Sequence, residues 1–273
     1  MSSINSLLHK IVAKIKETKD LGELKRYQKL EYIDKLRQLK DTQIGKRCFV
    51  IGNGPSLKID DLIRMEGEDC FACNRIYGLY NKTEWRPKYY CLQDVKVLEQ
   101  TRDRLEFAVQ NCELAFFPYN YRALLSPEVP NNTKVNLFYH RYVSVYSPDK
   151  VYPEGLMPFS EDITEGLFDG LSITYAMIQL AVYMGYKEIY LVGVDHNYKI
   201  NNGIVDSASS YAEGIDPIDM KSQYPPELQL CEISFREARR VCERRGITIR
   251  NATRGGKLEV FERTSLDKVL GGK

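Results

Sequence analysis

Long apolar runs are missing from this 273-residue sequence. No stretch approaches the roughly 20 apolar residues that a helix needs to cross a bilayer. The N-terminus has no charged region that leads into an apolar segment, so we predict no signal peptide. With 43% hydrophobic and 28% charged residues, the composition is that of an ordinary globular protein. We therefore expect a soluble, cytoplasmic protein.

Cysteines are present in an odd number, seven, and several lie inside apolar, strand-like runs. Both features favour reduced, buried thiols over a disulfide framework. Cys70 and Cys73 form a CxxC pair, but the sequence has no second CxxC and no histidine cluster nearby. We therefore predict no zinc site here.

Several motifs that would indicate a particular chemistry are also missing. The loop Gly52-Asn53-Gly54-Pro55-Ser56 lacks the third glycine of a dinucleotide fingerprint and the Gly-Lys-Ser/Thr of a P-loop, which argues against NAD binding and P-loop hydrolysis. No DxD motif is present, so no paired-carboxylate metal site is predicted. A nucleophile elbow of the G-x-S-x-G type is absent as well.

Positive charge is concentrated at the N-terminus. Residues 1–47 carry twelve Lys or Arg against six Asp or Glu, although the net charge of the whole chain is only +2. Apolar residues at helical spacing predict helices over residues 4–40, with a break near Gly22. We assign residues 1–45 to a basic amphipathic helical extension. It is interpreted as a hairpin that packs on the main domain or on another subunit of a homo-oligomer, or as a peripheral contact with an anionic membrane surface.

Short apolar runs alternate with helical segments from residue 46 onward. This alternation predicts a Rossmann-like, doubly wound α/β fold with a mainly parallel sheet over residues 46–273. Two stretches rich in Pro, Tyr, Asn, Ser and Gly, residues 118–168 and 199–226, are predicted to be lid or substrate loops. The predicted strands are Arg47–Ile51, Asp69–Cys73, Tyr89–Leu92, Glu113–Phe117, Glu188–Val194 and one that begins at Thr248, and the predicted helices are Leu57–Met65, Val95–Val109, Leu171–Met184 and Glu227–Arg245.

Polar residues follow five of the predicted strands. Ligands of open α/β sheets bind at the carboxyl ends of the strands, so the five positions together predict one binding edge rather than five unrelated turns or caps. Gly52 and Gly54 permit close backbone approach, and Ser56 can cap the next helix, whose amides favour an anion. We assign nucleotide or donor binding to Gly52, Asn53, Gly54, Pro55, Ser56, Asn74, Gln93, Asp94, Ser172, Gly193 and Asn251.

Only three histidines are present, and one of them lies at this edge. His196 directly follows Asp195 at the end of a strand, so the pair is a candidate for general acid–base catalysis or for phosphate binding. His140 closes an apolar run and is interpreted as a structural histidine at a strand end, with catalysis as the alternative. His9 lies on the predicted N-terminal helix and is interpreted as structural.

Two stretches resemble bacterial CMP-sialic-acid-dependent sialyltransferases: VIGNGPSL (Val50–Leu57), followed by Cys73-Asn74, and GYKEIYLVGVDHNY (Gly185–Tyr198). The ending NATRGGKLEVFER (Asn251–Arg263) resembles the broad 6-hydroxymethylpterin diphosphokinase MptE-like family, which includes motility accessory proteins that transfer nonulosonic acids. The likeness implies that Asn53 and Gly54 meet the donor phosphate or sugar and that Asn74 meets the sugar or ribose. It also implies tyrosines on the leaving phosphate, for which the candidates are Tyr198, Tyr211 and Tyr224.

These resemblances imply a glycosyltransferase that uses a nucleotide-activated sugar, with a CMP-nonulosonic acid as the preferred donor. The acceptor would be a glycan, a glycolipid or a protein. We expect no nucleic-acid partner and no required cofactor or metal. The alternative is an ATP-dependent 6-hydroxymethylpterin diphosphokinase, which would need Mg²⁺ held by carboxylates such as Asp94 and Asp195. A second alternative is a non-catalytic nucleotide-binding scaffold.

Overall fold

One parallel sheet of eight strands organises the molecule. The computed structural model describes residues 18–142, 157–201, 204–206, 209–216 and 227–271. The strands of the sheet are β1 (Arg47–Ile51), β2 (Cys70–Cys73), β3 (Tyr89–Cys91), β4 (Leu114–Pro118), β5 (Val135–Phe138), β8 (Glu188–Val192), β11 (Thr248–Asn251) and β12 (Glu262–Arg263). Two small pairs accompany it, β6 (His140–Arg141) with β7 (Leu167–Phe168) and β9 (Ile200–Asn201) with β10 (Ile204–Val205).

Helices cover both faces of the sheet. They are α1 (residues 18–27), α2 (Tyr32–Gln38), α3 (Ile59–Arg64), α4 (Val95–Thr101), α5 (Leu105–Gln110), α6 (Glu128–Asn131), α7 (Ile173–Tyr183), α8 (Leu228–Arg244) and α9 (Leu266–Leu270). Along β1, Cys48 and Val50 enter the core layer shared with α1, α2, α7 and α8, whereas Phe49 and Ile51 enter the layer shared with the other helices. Successive strand residues point to opposite faces, and both faces are apolar here, as in a doubly wound sheet. The predicted fold class is confirmed.

The order of the strands determines where a ligand can enter. The sheet runs β12-β11-β8-β1-β2-β3-β4-β5, so the chain leaves β1 towards β2 and later returns through α7 to β8 on the other side of β1. Crossovers that diverge from one central strand open a crevice at the carboxyl ends of the strands. The crevice therefore lies where β1, β2 and β8 end.

The described part of the N-terminal extension packs against the main sheet. Leu24, Tyr27, Ile33 and Leu36 from α1 and α2 are buried in the same core layer as α7 and α8. The Tyr27 hydroxyl donates a hydrogen bond of 2.5 Å to the carbonyl oxygen of Leu137, next to the end of β5. This agrees with the interpretation in which the extension packs on the main domain. The predicted helix over residues 4–17 lies outside the described residues.

Most predicted elements form, but one predicted helix is divided and several short elements were not predicted, namely β5, β6, β7, β9, β10, β12, α6 and α9. The helix predicted over Val95–Val109 is interrupted by a 3-10 turn at Arg102–Arg104, which separates α4 from α5. Strand β5 lies inside the predicted insert 118–168 and pairs with β4 at the edge of the sheet. Its four residues stand among Pro and Asn residues, so the apolar signal was too short to separate from a loop.

The seven cysteines are all buried and unpaired. Cys70 and Cys73 both belong to β2 but enter opposite core layers. Residues three apart in a strand face opposite sides, so this CxxC pair cannot close around one zinc ion. Among the helices in the described residues, none is long and apolar enough to span a membrane.

Replacement of Tyr27 tests whether the extension belongs to the core. Its buried ring lies 4.9 Å from that of Tyr119 and 5.6 Å from that of Tyr139, measured between ring centroids. We expect Tyr27→Ala to lower the free energy of unfolding by about 3–5 kcal/mol. Tyr27→Phe should lower it by about 1–3 kcal/mol, because the Leu137 carbonyl loses its donor. Leu21→Ala is the control, since Leu21 lies in the same helix with 41% of its surface exposed. Equal effects of Tyr27→Ala and Leu21→Ala in chemical denaturation would contradict this assignment.

Candidate functional site

A cavity of ≈ 140 Å³ opens at the carboxyl ends of β1, β2 and β8. It lies at the crevice that the strand order creates. Eleven of the sixteen residues assigned from the sequence line it, and their binding roles stay predictions. These are Gly52, Asn53, Gly54, Pro55, Asn74, Ser172, Gly193, Asp195, His196, Tyr198 and Tyr211.

The glycine loop brings two strand ends into direct backbone contact. The Gly52 and Gly54 N–H groups donate hydrogen bonds of 2.8 and 2.9 Å to the carbonyl oxygens of Val192 and Gly193. A Cβ at Gly54 would lie 2.7 Å from the Gly193 carbonyl oxygen, and a Cβ at Gly193 would lie 2.8 Å from that of Gly52. Gly193 also has a φ of +68°, in the region that favours glycine. These positions therefore require glycine for steric reasons.

Two asparagine side chains present unpartnered oxygens at the cavity. Asn53 donates from Nδ2 to the Cys73 carbonyl oxygen at 3.0 Å, while its Oδ1 is buried without a partner. The Asn74 Oδ1 is likewise buried without a partner. Asn74 has a φ of 52°, and its carbonyl oxygen accepts a 2.6 Å hydrogen bond from the Tyr90 hydroxyl. Buried polar atoms are nearly always paired, so two acceptors in one cavity point to a ligand that donates hydrogen bonds.

Asp195 joins the glycine loop to the end of β8. Its Oδ2 accepts from the Ser56 Oγ at 2.7 Å and from the Ser56 N–H at 3.4 Å. Burial raises the pKa of Asp195, and the hydrogen bonds from Ser56 act against that rise. Ser56 does not line the cavity, so its role in the structure is to tie the end of the glycine loop to Asp195.

His196 lines the cavity with its ring packed against α8. Its Nε2 is buried 3.6 Å from Glu232 Oε1, which is beyond hydrogen-bond length. The ring also meets Phe235 of α8 edge to face, at 6.1 Å between centroids. Burial lowers the pKa of His196, and the Glu232 carboxylate opposes that effect. The imidazole is therefore neutral at pH 7 and can accept a proton.

The N-terminus of α7 forms another wall. Ser172 caps this eleven-residue helix, since its Oγ accepts from the Thr174 N–H at 3.3 Å. Residues 171–174 all line the cavity. The free amides and the dipole at a helix start favour an anionic group. This wall can therefore face a phosphate.

Four assigned residues lie away from the cavity lining. Gln93 donates to the Asp169 carbonyl oxygen at 3.1 Å, and Asp94 caps α4 by accepting from the Lys96 and Val97 N–H groups at 2.8 and 2.9 Å. Asn251 donates to the Leu258 carbonyl oxygen at 2.9 Å. Asp94 is thus a helix cap, and Gln93 and Asn251 hold backbone segments; the expected cap at Ser56 does not form, because the N-cap of α3 is Lys58 and the Ser56 hydroxyl donates to Asp195. Tyr224 lies outside the described residues.

Thr253, which the sequence places at the end of the last strand without a specific role, supports the turn after β8. Its Oγ1 accepts a 3.1 Å hydrogen bond from the Val194 N–H, and its own N–H donates to Asn251 Oδ1 at 3.0 Å. The Lys257 N–H donates to the Asp195 carbonyl oxygen at 2.8 Å. The segment after β11 therefore holds the turn that carries Asp195 and His196. No local sequence pattern predicts this contact, because Val194 and Thr253 are 59 residues apart.

The family is decided by a match that includes β1, β2 and β8. A family model described as 6-hydroxymethylpterin diphosphokinase MptE-like matches residues 19–201. The chain belongs to this family. The match contains the glycine loop, both asparagines and the Asp195-His196 pair.

Solved structures with a similar fold include two kinds of transferase. The MAf glycosyltransferase from Magnetospirillum magneticum AMB-1 superposes with a TM-score of 0.51 and 17% identity, over 83% of this chain and 34% of that one. The sialyltransferase CstII from Campylobacter jejuni, in complex with the substrate analogue cytidine-5'-monophosphate, gives a TM-score of 0.47 and 19% identity, over 81% and 86% of the two chains. This MptE-like protein thus spans about a third of the MAf protein, with which it shares the α/β fold. No curated protein matches the sequence.

Substitution of Thr253 tests the support of the Asp195-His196 turn. We expect Thr253→Val to lower the free energy of unfolding by about 1–3 kcal/mol, because the buried Val194 N–H loses its acceptor. Thr253→Ser keeps the hydroxyl and should retain most of the stability. Chemical denaturation of both variants measures the difference. Equal stability of the valine and serine variants would show that the hydroxyl does not support the turn.

Proposed function

We propose that this MptE-like protein is a glycosyltransferase that uses a CMP-activated nonulosonic acid. The acceptor would be a hydroxyl group of a surface glycan, a glycolipid or a protein. The observation that carries the proposal is the pair of buried, unpartnered oxygens on Asn53 and Asn74 beside the start of α7. The glycine loop with Asn53, the Cys73-Asn74 pair and the segment from β8 to Asp195 also carry the motifs that resemble CMP-sialic-acid-dependent sialyltransferases. The shared fold of the MAf glycosyltransferase adds support.

Recognition of the donor follows from the hydrogen-bonding groups of the cavity. An amide oxygen only accepts, so Asn53 and Asn74 would pair with hydroxyl or amino groups of the nucleoside or sugar. The start of α7 with Ser172 would meet the phosphate. A CMP-sugar carries one phosphate, which requires less positive charge than a diphosphate. We therefore propose that no metal is needed.

The transfer step balances with the groups that line the cavity. The acceptor oxygen would bond to the anomeric carbon while the bond from that carbon to the phosphate oxygen breaks and CMP departs. His196 would take the proton of the acceptor hydroxyl, and Glu232 would stabilise the imidazolium that results. Tyr211 and Tyr198 would donate hydrogen bonds to the departing phosphate. Burial raises the pKa of Tyr211 to about 12, which keeps its hydroxyl protonated at neutral pH.

The family description favours one alternative, transfer of pyrophosphate from ATP to a pterin alcohol. That chemistry requires Mg²⁺ between the phosphates. Of the two carboxylates considered for it, Asp195 lines the cavity, whereas Asp94 caps α4. The two therefore do not form one ligand pair, and this supports glycosyl transfer over the diphosphokinase reaction.

Thermal shift with a panel of nucleotides tests the donor. A ligand that binds only the native state raises the melting temperature by mass action, so CMP should stabilise the protein more than ATP with Mg²⁺, and EDTA should not change the effect. Asn74→Gly is the matched variant, because glycine adopts the φ of 52° without strain. It should weaken CMP binding by about tenfold to a hundredfold. Stabilisation by ATP with Mg²⁺ and none by CMP would favour the diphosphokinase instead.

A variant of His196 separates binding from chemistry. His196 has a φ of 50°, and asparagine tolerates this conformation well. We expect His196→Asn to lower donor turnover by about 10²–10⁴-fold with unchanged CMP affinity. In the wild type, the rate should fall with decreasing pH only below the pH range in which an ordinary histidine titrates, because burial lowers the pKa of His196. Full turnover by His196→Asn would exclude His196 as the base, and CMP binding without turnover by the wild type would favour the scaffold alternative.

A further inference from the structure

The His140 ring lacks any hydrogen-bond partner in the described part of the chain. Only 3% of the residue is exposed, and neither Nδ1 nor Nε2 is paired. Its backbone, in contrast, is held on both sides. The His140 N–H donates to Asn120 Oδ1 at 2.7 Å, and its carbonyl oxygen accepts from Asn120 Nδ2 at 3.2 Å. The fold therefore fixes the position of a ring whose polar atoms it does not satisfy, unlike the structural histidine that the sequence analysis expected.

Three aromatic rings surround this imidazole. The ring centroids of Tyr142, Tyr121 and Phe138 lie 4.6, 6.0 and 6.5 Å from that of His140. Tyr142 is the outermost, with 53% of its surface exposed. The imidazole is therefore enclosed by aromatic rings, and the half-exposed Tyr142 ring lies between it and the surface.

A second unpartnered atom lies after β3, two strands away from the end of β5, and backbone hydrogen bonds link both regions to the cavity. Gln93, after β3, has its Oε1 buried without a partner. Its Nε2 donates to the Asp169 carbonyl oxygen, which also accepts from the Ser172 N–H at 3.0 Å. The Asp169 N–H in turn donates to the Arg141 carbonyl oxygen at 3.1 Å. One turn of chain, residues 169–172, thus connects the His140 region to the cavity at the start of α7.

We infer that His140, Gln93 and Tyr142 form a second subsite, which binds a neutral polyhydroxylated ligand such as a sugar. A neutral imidazole has one donor and one acceptor, and a hydroxyl group can satisfy both. The Gln93 oxygen would accept from a second hydroxyl, and the Tyr142 ring would pack on the apolar face of the sugar ring. Burial lowers the pKa of His140 to about 4, so the ring is neutral at physiological pH. The carboxylates of Asp94 and Asp169 lie near Tyr142 and disfavour an anion.

The position of this subsite next to the cavity assigns it to the acceptor, and this assignment rests on the proposed function. The subsite itself does not depend on that function, because it is inferred from the unpaired atoms of His140 and Gln93 and from the exposed Tyr142 ring. Only residues 169–172, which lead into α7, would separate a ligand hydroxyl bound here from the donor phosphate. Probes that bind each site independently can distinguish the presence of the subsite from its assignment to the acceptor.

Imidazole ¹⁵N NMR on the full chain provides the test, because the sequence contains only three histidines. Signals of His140 and His196 are assigned with His140→Phe and His196→Asn. The probes are galactose, N-acetylglucosamine and glycerol for the subsite and CMP for the cavity. We expect at least one hydroxylated probe to shift the His140 signals saturably, and CMP to shift those of His196. His140→Phe retains an aromatic ring in the same space, so its melting temperature controls for folding.

Binding of the shifting probe should weaken by about tenfold to a hundredfold in His140→Phe and in Gln93→Leu, because a ligand hydroxyl then lacks its partner. CMP affinity should stay that of the wild type in His140→Phe. Failure of every hydroxylated probe to shift the His140 signals, or equal probe affinity in wild type and variants, would overturn the subsite. Failure of CMP to bind the wild type would contradict the proposed function and leave the His140 result valid.

Discussion

The contact between the ends of β1 and β8 is the constraint on which the site depends. Gly52 and Gly193 approach so closely that a Cβ on either would collide with the backbone of the other. This contact sets the separation of the two loops that follow these strands. The asparagines of one side and the Asp195-His196 pair of the other can therefore line the same small cavity. The hydrogen bond from Ser56 to Asp195 and the support from Thr253 maintain an arrangement that the glycines make possible.

The same cavity is unfavourable to the stability of the fold. An unpaired buried acceptor lowers stability by about 1–3 kcal/mol, and Asn53 and Asn74 each contribute one. Asn74 and His196 also adopt left-handed φ values of 52° and 50°, which are uncommon for residues other than glycine. Such features cluster at binding sites, where the surrounding structure holds them in place. A ligand that donates to both oxygens would recover part of the stability that the site lowers.

Periodicity predicted six of the eight strands of the sheet and the longer helices that flank it. Continuous apolar runs identified β1 and β8, and the polar residues that follow the strands include most of the assigned residues that line the cavity, whereas Tyr198 and Tyr211 were assigned from the family resemblance. Position after a strand also selected Gln93, Asp94 and Asn251, which do not line the cavity. A polar residue after a strand can equally well cap a helix or hold a turn. Long-range pairs such as Val194 with Thr253 leave no local signal. The place where α1 and α2 pack depends on which face of the sheet the other helices leave uncovered. The sequence alone does not determine that face.

The burial of all seven thiols has a consequence for the chemical reactivity of the protein. They lie in both core layers and on α8, and burial raises the pKa of Cys73, Cys112, Cys231 and Cys242 to about 12. Because the thiolate is the reactive form, the native chain resists alkylation and oxidation at neutral pH. Each cysteine becomes reactive only when its layer opens. The rate of thiol modification therefore reports how often the two core layers open. Cys73 and Cys231 also line the cavity, so a ligand bound there should change the rate at which these two thiols are modified.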